Sequence, residues 1–410
     1  MNDCKKENRS QDILCKRLRK DMLQISFLPW VKLDKAVKLG PITFWPYYSE
    51  VEQKGIATTV KTHLDKYFNC YVNCQGKPVD TITVCSYEDN NFRILDDFKR
   101  HNLRSVVDAV IFIAIATAVE RGVCLDNDSF GPPSADVFEL VTQNFAPGND
   151  HISVQAGSVC HTGWNIGDIT FPKPLATGSP FWNLEGELVE GFDKCWTVGF
   201  PEDVRKRLLH SLEWFRMAHV EEGGQISEIT KIVMMATAFE ILLQFPKDGK
   251  RKYFANYMEK HIASEDFLTD TRSIGKEKVS KWSLAGCWAW DFYDLRNRIV
   301  HGDRISSSDL IYRDWLTNFI VADLVFEECI KRELFDNECI GSNARSAAKK
   351  FNEILPDESE GTIANHSCSW FLGFDPIHRA LGWLPEIPIT ANDWRKVGTK
   401  RKILTDRKVS

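Results

Sequence analysis

The chain has 410 residues, 43% hydrophobic and 27% charged, which suits two or three soluble domains with ample core material. Its formal net charge of −5 excludes a protein that coats nucleic acid by bulk charge, so any such contact must use a local patch. Twelve cysteines without a regular framework, and a polar, basic stretch at 1–24 with no apolar centre, read as a reduced, cytoplasmic protein without a secretory signal.

In chain order, residues 1–24 form a basic segment and 25–200 a mixed α/β domain. PITFWPYY (41–48) and DTITVCSY (80–87) are rich in β-branched and aromatic residues and predict strands, as do HISVQAGSV (151–159) and DITFPKP (168–174). A helical pattern covers 96–121. Its most apolar part, 106–120, is shorter than a bilayer span needs and contains Asp108, so it reads as a buried core helix with no membrane role. SADVFELVTQNF (134–145) predicts a shorter helix with Ser134 as its N-cap.

The texture changes near Pro201. From there to about residue 338 almost everything reads as helix, broken at 221–224, 245–250, 273–278 and 301–303. That pattern predicts an all-α bundle of about five helices over 201–340. A small, polar linker follows over 341–410, with 351–355 able to dock. It ends in RKVGTKRKILTDRKVS, where seven Lys or Arg face one Asp. The fold class expected is therefore α+β multidomain: a mixed α/β domain followed by an all-α helical bundle.

The stretch DFYDLRNRIVHGD (291–303) carries the chemistry. On a helical wheel Trp288, Phe292, Leu295 and Ile299 form one apolar stripe. Asn297 and His301 share a face nearly opposite it, and Arg296 lies on the flank. His301 is then either a solvent-exposed histidine near a helix end or a residue facing a second copy across a two-fold axis. Asp294 and Arg298, four apart, form a structural pair on this reading. Upstream, ISEITKIVMMATAFEILLQF (226–245) has an apolar stripe of Ile229, Ile232, Val233, Ala236, Phe239 and Leu243 with Glu240 inside it. A carboxylate there needs a partner, and Arg296 is suited to a two-pronged bond with it. The pair either stabilises the bundle or fixes the guanidinium toward a phosphate. Alternatively, Glu240 lies at the stripe's edge and reaches solvent.

RNRIVHG (296–302) resembles the Arg-(four residues)-His signature of the HEPN superfamily, including the polar residue that often follows the Arg. TAFEILLQ (237–244) resembles the first-motif helix of the ApeA-like HEPN branch of anti-phage, abortive-infection ribonucleases. The resemblance spans 203–338, roughly a third of the chain. FLPWVKLDKAVKLGPITFWP (28–47) is also similar to the start of multidomain HEPN proteins. The resemblance implies an obligate homodimer that cuts RNA without a metal or cofactor. The ribose 2′-OH attacks the adjacent phosphorus, leaving a 2′,3′-cyclic phosphate and a 5′-OH. In that reading Arg296, His301, Asn297 and Glu240 are catalytic. The protein is then a toxin-like nuclease of antiviral defence, and its N-terminal domain senses a trigger or restrains the nuclease. Where one HEPN subgroup carries a Tyr two residues after the His, as a target of nucleotidylating antitoxins, this chain has Asp303. The alternative function is a non-catalytic HEPN scaffold that dimerises or binds nucleotide.

PKDGKRKYFANYMEK (246–260) clusters Lys247, Lys250, Arg251 and Lys252 beside Tyr253 and Tyr257. It is either a solvated helix start or an RNA-backbone contact, with Lys250, Arg251 and Lys252 as the RNA-binding candidates. Cys70 and Cys74 are four apart, but a structural zinc site usually offers two such pairs, so no metal is expected.

Overall fold

The computed structural model describes residues 22–48, 56–87, 92–124, 134–149, 151–156, 159–174, 186–221, 226–262, 269–274, 278–313 and 316–340. Residues 1–21 of the expected basic segment, the linker with its docking segment 351–355, and the basic tail lie outside the described residues, while Leu23 and Gln24, expected in the basic segment, belong to the first strand. The chain divides into two compact units. One comprises Met1–Ala114, Pro133–Phe200 and Val220–Gln225. The other comprises Ile115–Pro132, Pro201–His219 and Ile226–Ser410.

The first unit is built on an antiparallel sheet. Strands β1 (Leu23–Leu28), β2 (Val37–Leu39), β3 (Ile42–Tyr48), β5 (Thr81–Tyr87) and β6 (Val141–Phe145) lie in the order β2-β3-β5-β1-β6. Helix α1 (Thr58–Phe68) covers one face. Phe27 of β1 meets the rings of Tyr67 and Phe68 at 5.8 and 5.0 Å, and the Tyr47 hydroxyl donates to Asp65 at 2.7 Å. The β2–β3 turn passes through Gly40 at φ +56, where the Asp193 side chain of α3 (Glu187–Lys194) accepts the Gly40 N–H at 2.8 Å. Short β4 (Tyr71–Val72) and β9 (Phe171–Pro172) pair in parallel, and β7 (His151–Ala156) pairs antiparallel with β8 (Val159–Asn165).

Two expectations fail in this unit. Residues 134–145 do not form a helix. Ser134 caps as expected, accepting from the Asp136 N–H at 3.1 Å, but only a 3₁₀ turn over Ala135–Phe138 follows. The chain then enters β6, where Val141–Phe145 finds β1 alongside. Of 168–174, only Phe171–Pro172 is strand, because a second 3₁₀ turn occupies Ile166–Asp168.

Helix α2 (Asp97–Cys124) starts one residue after the expected position and runs three beyond the expected end. Over Asp97–Val119 it is long and apolar enough to cross a membrane, contrary to the length argument drawn from 106–120, but 83% of its most apolar window is buried inside the protein. Asp108 is buried with it.

The second unit is mostly helical. It contains α4 (Glu202–Ala218), α5 (Glu228–Leu242), α6 (Lys250–His261), α7 (Leu284–Val300), the short α8 (Ser307–Leu310) and α9 (Asn318–Asp336). It is not all-α, which corrects the expectation for 201–338. Strands β10 (Thr269–Ile274) and β11 (Lys278–Ser283) form a hairpin, and β12 (Ile311–Arg313) pairs with β13 (Leu316–Thr317). The break expected at 273–278 thus falls at a hairpin rather than between helices. The core is aromatic: Phe239 of α5 lies 4.8 Å from Phe254, 6.1 Å from Phe292 and 5.3 Å from Phe326, ring to ring. Full burial of each such side chain stabilises the unit by about 1.5–3 kcal/mol. Polar ties accompany it. His219 and Asp323 are both buried, with Nε2 and Oδ1 3.1 Å apart, and His219 Nδ1 lies 2.8 Å from the Phe215 carbonyl oxygen.

Candidate functional site

Three helix ends supply the site. Helix α5 begins at an N-cap, Ser227, which accepts the Thr230 N–H at 3.2 Å. It closes with two reverse-turn bonds, Phe245 N–H to the Glu240 carbonyl (3.1 Å) and Gln244 N–H to that of Ile241 (3.3 Å). This is a Schellman motif, and Gln244 takes the left-handed position at φ 50. The last carbonyls of α5 are also held from outside. Tyr253 donates to Leu243 at 2.9 Å, and Arg207, which pairs with Glu333, donates to Leu242. The chain then turns through Gly249, at φ +71, into α6. That short connection brings Lys250, the first residue of α6, back beside the last turn of α5.

The apolar stripe expected on α7 is buried at Trp288, Phe292 and Leu295, while Ile299 is half-buried. The helix ends as DFYDLRNRIVHGD suggests. Gly302 (φ +81) is the left-handed residue of a second Schellman motif, in which Asp303 N–H meets the Arg298 carbonyl at 2.9 Å and Gly302 N–H meets that of Ile299 at 3.1 Å. His301 is therefore the C-cap, where the helix dipole is negative.

Glu240 is the hub. Its side chain is 16% exposed, and three donors reach it. The Tyr293 hydroxyl donates to Oε1 at 2.6 Å, Lys250 Nζ pairs with Oε2, and Arg296 Nη2 lies 3.3 Å from Oε1. Burial, and then the Glu240 hydrogen bond, push the Tyr293 phenol up from its ordinary value. The ion pair expected between Glu240 and Arg296 thus forms, but through a single contact. The two-pronged bond expected from the residue types is absent, because both carboxylate oxygens already have closer donors. Arg296 Nη1 donates to Asn297 Oδ1 at 3.2 Å, its guanidinium carbon lies 5.5 Å from the centre of the Tyr293 ring, and its buried Nε has no hydrogen-bond partner among the described residues.

Asn297 is half-buried and His301 exposed. Among the described residues, no hydrogen bond or ion pair joins Arg296 to His301. Asn297 binds Arg296 rather than the imidazole. The expected Asp294–Arg298 pair is replaced. Arg298 donates to Asp309 at 3.0 Å, and Asp294 pairs with Arg251. Hydrogen bonds from Ser306 and Arg298 hold the Asp309 carboxyl well below the usual carboxylate range, and the Arg298 guanidinium is raised in return. Both residues brace the segment that follows His301.

The basic cluster also changes character. Lys250 serves Glu240. Arg251 stacks over the Trp290 ring at 3.8 Å, donates to the Trp290 carbonyl at 3.2 Å and pairs with Asp294. Two of the three cations assigned to RNA therefore already have anionic partners within the protein. Lys252 and Lys247 are exposed.

Tyr293 and Lys250 are the members of the Glu240 cluster that sequence reasoning missed in these roles. Tyr293 had a local signal: it lies three residues before Arg296 and so shares its helix face. Lys250 had none beyond the brevity of the loop that returns it to α5. Comparison with protein-family models, with curated proteins and with solved structures gives no match.

Proposed function

We propose that the second unit is a HEPN-type endoribonuclease that acts as a homodimer. The observation supporting this most is the cluster at the ends of α5 and α7: a partly buried carboxylate, Glu240, holds Arg296 by one edge, and the exposed His301 stands five residues further on, at the end of α7. Arginine suits charge that develops on phosphoryl oxygens, and histidine is the side chain whose ordinary titration spans neutral pH. In the reaction, one His301 removes the 2′-OH proton as the oxygen attacks phosphorus. The P–O5′ bond breaks, and a second His301 protonates the departing 5′-oxygen. The products are a 2′,3′-cyclic phosphate and a 5′-OH. Five positions on a helix amount to about 140° around its axis, so a second copy is needed to complete the set. On this reading the protein is a toxin-like effector of anti-phage defence, and its first unit answers to a trigger.

The test is RNA cleavage in EDTA by the purified protein and by His301→Ala and Arg296→Ala. Cleavage by the wild type and loss of about two orders of magnitude or more in either variant is expected. Equal rates in all three would remove the assignment. A second reading, a non-catalytic dimerisation or nucleotide-binding scaffold, is favoured by one observation: Lys250 and Arg251 are already neutralised within the protein. A wild-type protein that binds RNA or nucleotide and leaves RNA intact would select it.

A further inference from the structure

An arginine and a carboxylate left to themselves close into a two-pronged fork, because the planar guanidinium matches both oxygens. At Glu240 that fork does not form. Tyr293 holds Oε1 at 2.6 Å, Lys250 holds Oε2, and Arg296 is left with one contact of 3.3 Å through Nη2. The other terminal nitrogen goes to Asn297 at 3.2 Å. A guanidinium has five N–H groups, so most of its donors are not committed to Glu240. Tyr293 is buried, its ring lies 5.7 Å from that of Phe245, and its face supports Arg296 at 5.5 Å.

We infer that Tyr293 on Oε1, with Lys250 on Oε2, is a positioning residue that keeps Arg296 from closing onto Glu240 and so leaves guanidinium N–H groups available to a phosphate. The inference rests on the nuclease reading for its consequence, though not for its geometry. Without the hydroxyl, Oε1 loses its 2.6 Å donor, and Arg296, already 3.3 Å from that oxygen, can close onto it. The arginine then turns onto Glu240 and away from the substrate. Lys250 holds the second oxygen in the same manner.

The experiment uses the full chain carrying Tyr293→Phe, which keeps the ring and removes only the hydroxyl. A crystal structure of this variant is expected to show a second Arg296 nitrogen within hydrogen-bond distance of Glu240. An unchanged single contact would overturn the inference, whatever the activity. Steady-state RNA cleavage is expected to lose about tenfold in kcat, the scale of one charge-assisted hydrogen bond, with KM within about twofold and an unchanged melting temperature. Wild-type kcat in Tyr293→Phe would also overturn it. So would a loss of activity with Arg296 still in place. Combining Tyr293→Phe with Glu240→Gln is expected to be no worse than the stronger single variant, since both act through Arg296. A product of the two losses would count against that route. Wild type and His301→Ala run alongside separate the two readings. If wild type leaves RNA intact, the nuclease reading fails, and the crystal structure alone decides whether Tyr293 restrains Arg296.

Discussion

Glu240 carries one charge and takes three donors, so its replacement affects more than Arg296. Glu240→Gln keeps the shape but weakens all three bonds, and RNA cleavage is expected to fall by about tenfold or more while the melting temperature moves little. A rate assay beside a thermal melt checks this. A different carboxylate gives a pH prediction. Glu328 on α9 is buried beside Lys331, 3.3 Å away, and burial pushes its carboxyl up to about 7. A carboxyl that titrates higher in the folded chain than in the unfolded one, where it sits at about 4.3, binds more protons when folded. Its stabilising contribution is complete below the unfolded value and is lost as pH rises through the folded one. Wild type is therefore expected to lose stability relative to Glu328→Gln between about pH 5 and about pH 7, measured by denaturant titration across that window. At Gly40 the restriction is steric. The backbone lies at φ +56, and an added Cβ would overlap the Trp196 indole. Gly40→Ala is expected to destabilise the first unit by about 3 kcal/mol, read by denaturant unfolding.

Helix ends organise the second unit. Three of its helices, α5, α7 and α9, close with the same Schellman pattern, and the left-handed position is Gln244, Gly302 and Glu338 respectively. Only α7 uses the residue that tolerates this conformation without a steric cost. Gln244→Gly and Glu338→Gly are each expected to raise stability by about 0.5–1 kcal/mol, and Gly302→Ala to lower it by about 1 kcal/mol. Equilibrium unfolding of the three variants tests this ordering. The use of glycine on α7 also has a bearing on the site, since the same turn sets where His301 leaves the helix. The elements misjudged from sequence share a cause. SADVFELVTQNF carries a good N-cap and a helix-compatible pattern, yet β1 lies alongside its second half and draws Val141–Phe145 into the sheet. TDTRSI and KVSKWS flank the break expected at 273–278 in a stretch that reads as helix, but they pair with each other in register from Thr269–Ser283 to Ile274–Lys278. Strand propensity depends on what packs alongside, which a single segment does not encode.

For the whole molecule, the composite site makes a quantitative demand. Mixing His301→Ala chains with wild type is expected to give heterodimers with strongly reduced cleavage rather than half the wild-type rate. Val300, 52% exposed beside His301, offers a second probe. Val300→Asp is expected to weaken self-association, seen by sedimentation at micromolar concentration, if the Asn297–His301 face meets its copy. A wild-type monomer that still cuts RNA would defeat the two-chain arrangement. What the sequence determined by itself was local. Strands β3 and β5, helix α2, the buried stripe of α7 and the end of that helix at Gly302 follow from periodicity, β-branching and one residue's freedom at positive φ. It also marked Glu240 as a carboxylate in need of a partner, since an apolar stripe cannot hold a bare charge. Only the tertiary structure decided how that need is met. Tyr293, Lys250 and Arg296 converge on one carboxylate, and Arg251 turns to Trp290 and Asp294, because a short loop folds α6 back beside α5 and α7. Spacing along one helix tells which residues share a face, whereas the partner of a charge depends on which other chain segment arrives within a few ångströms.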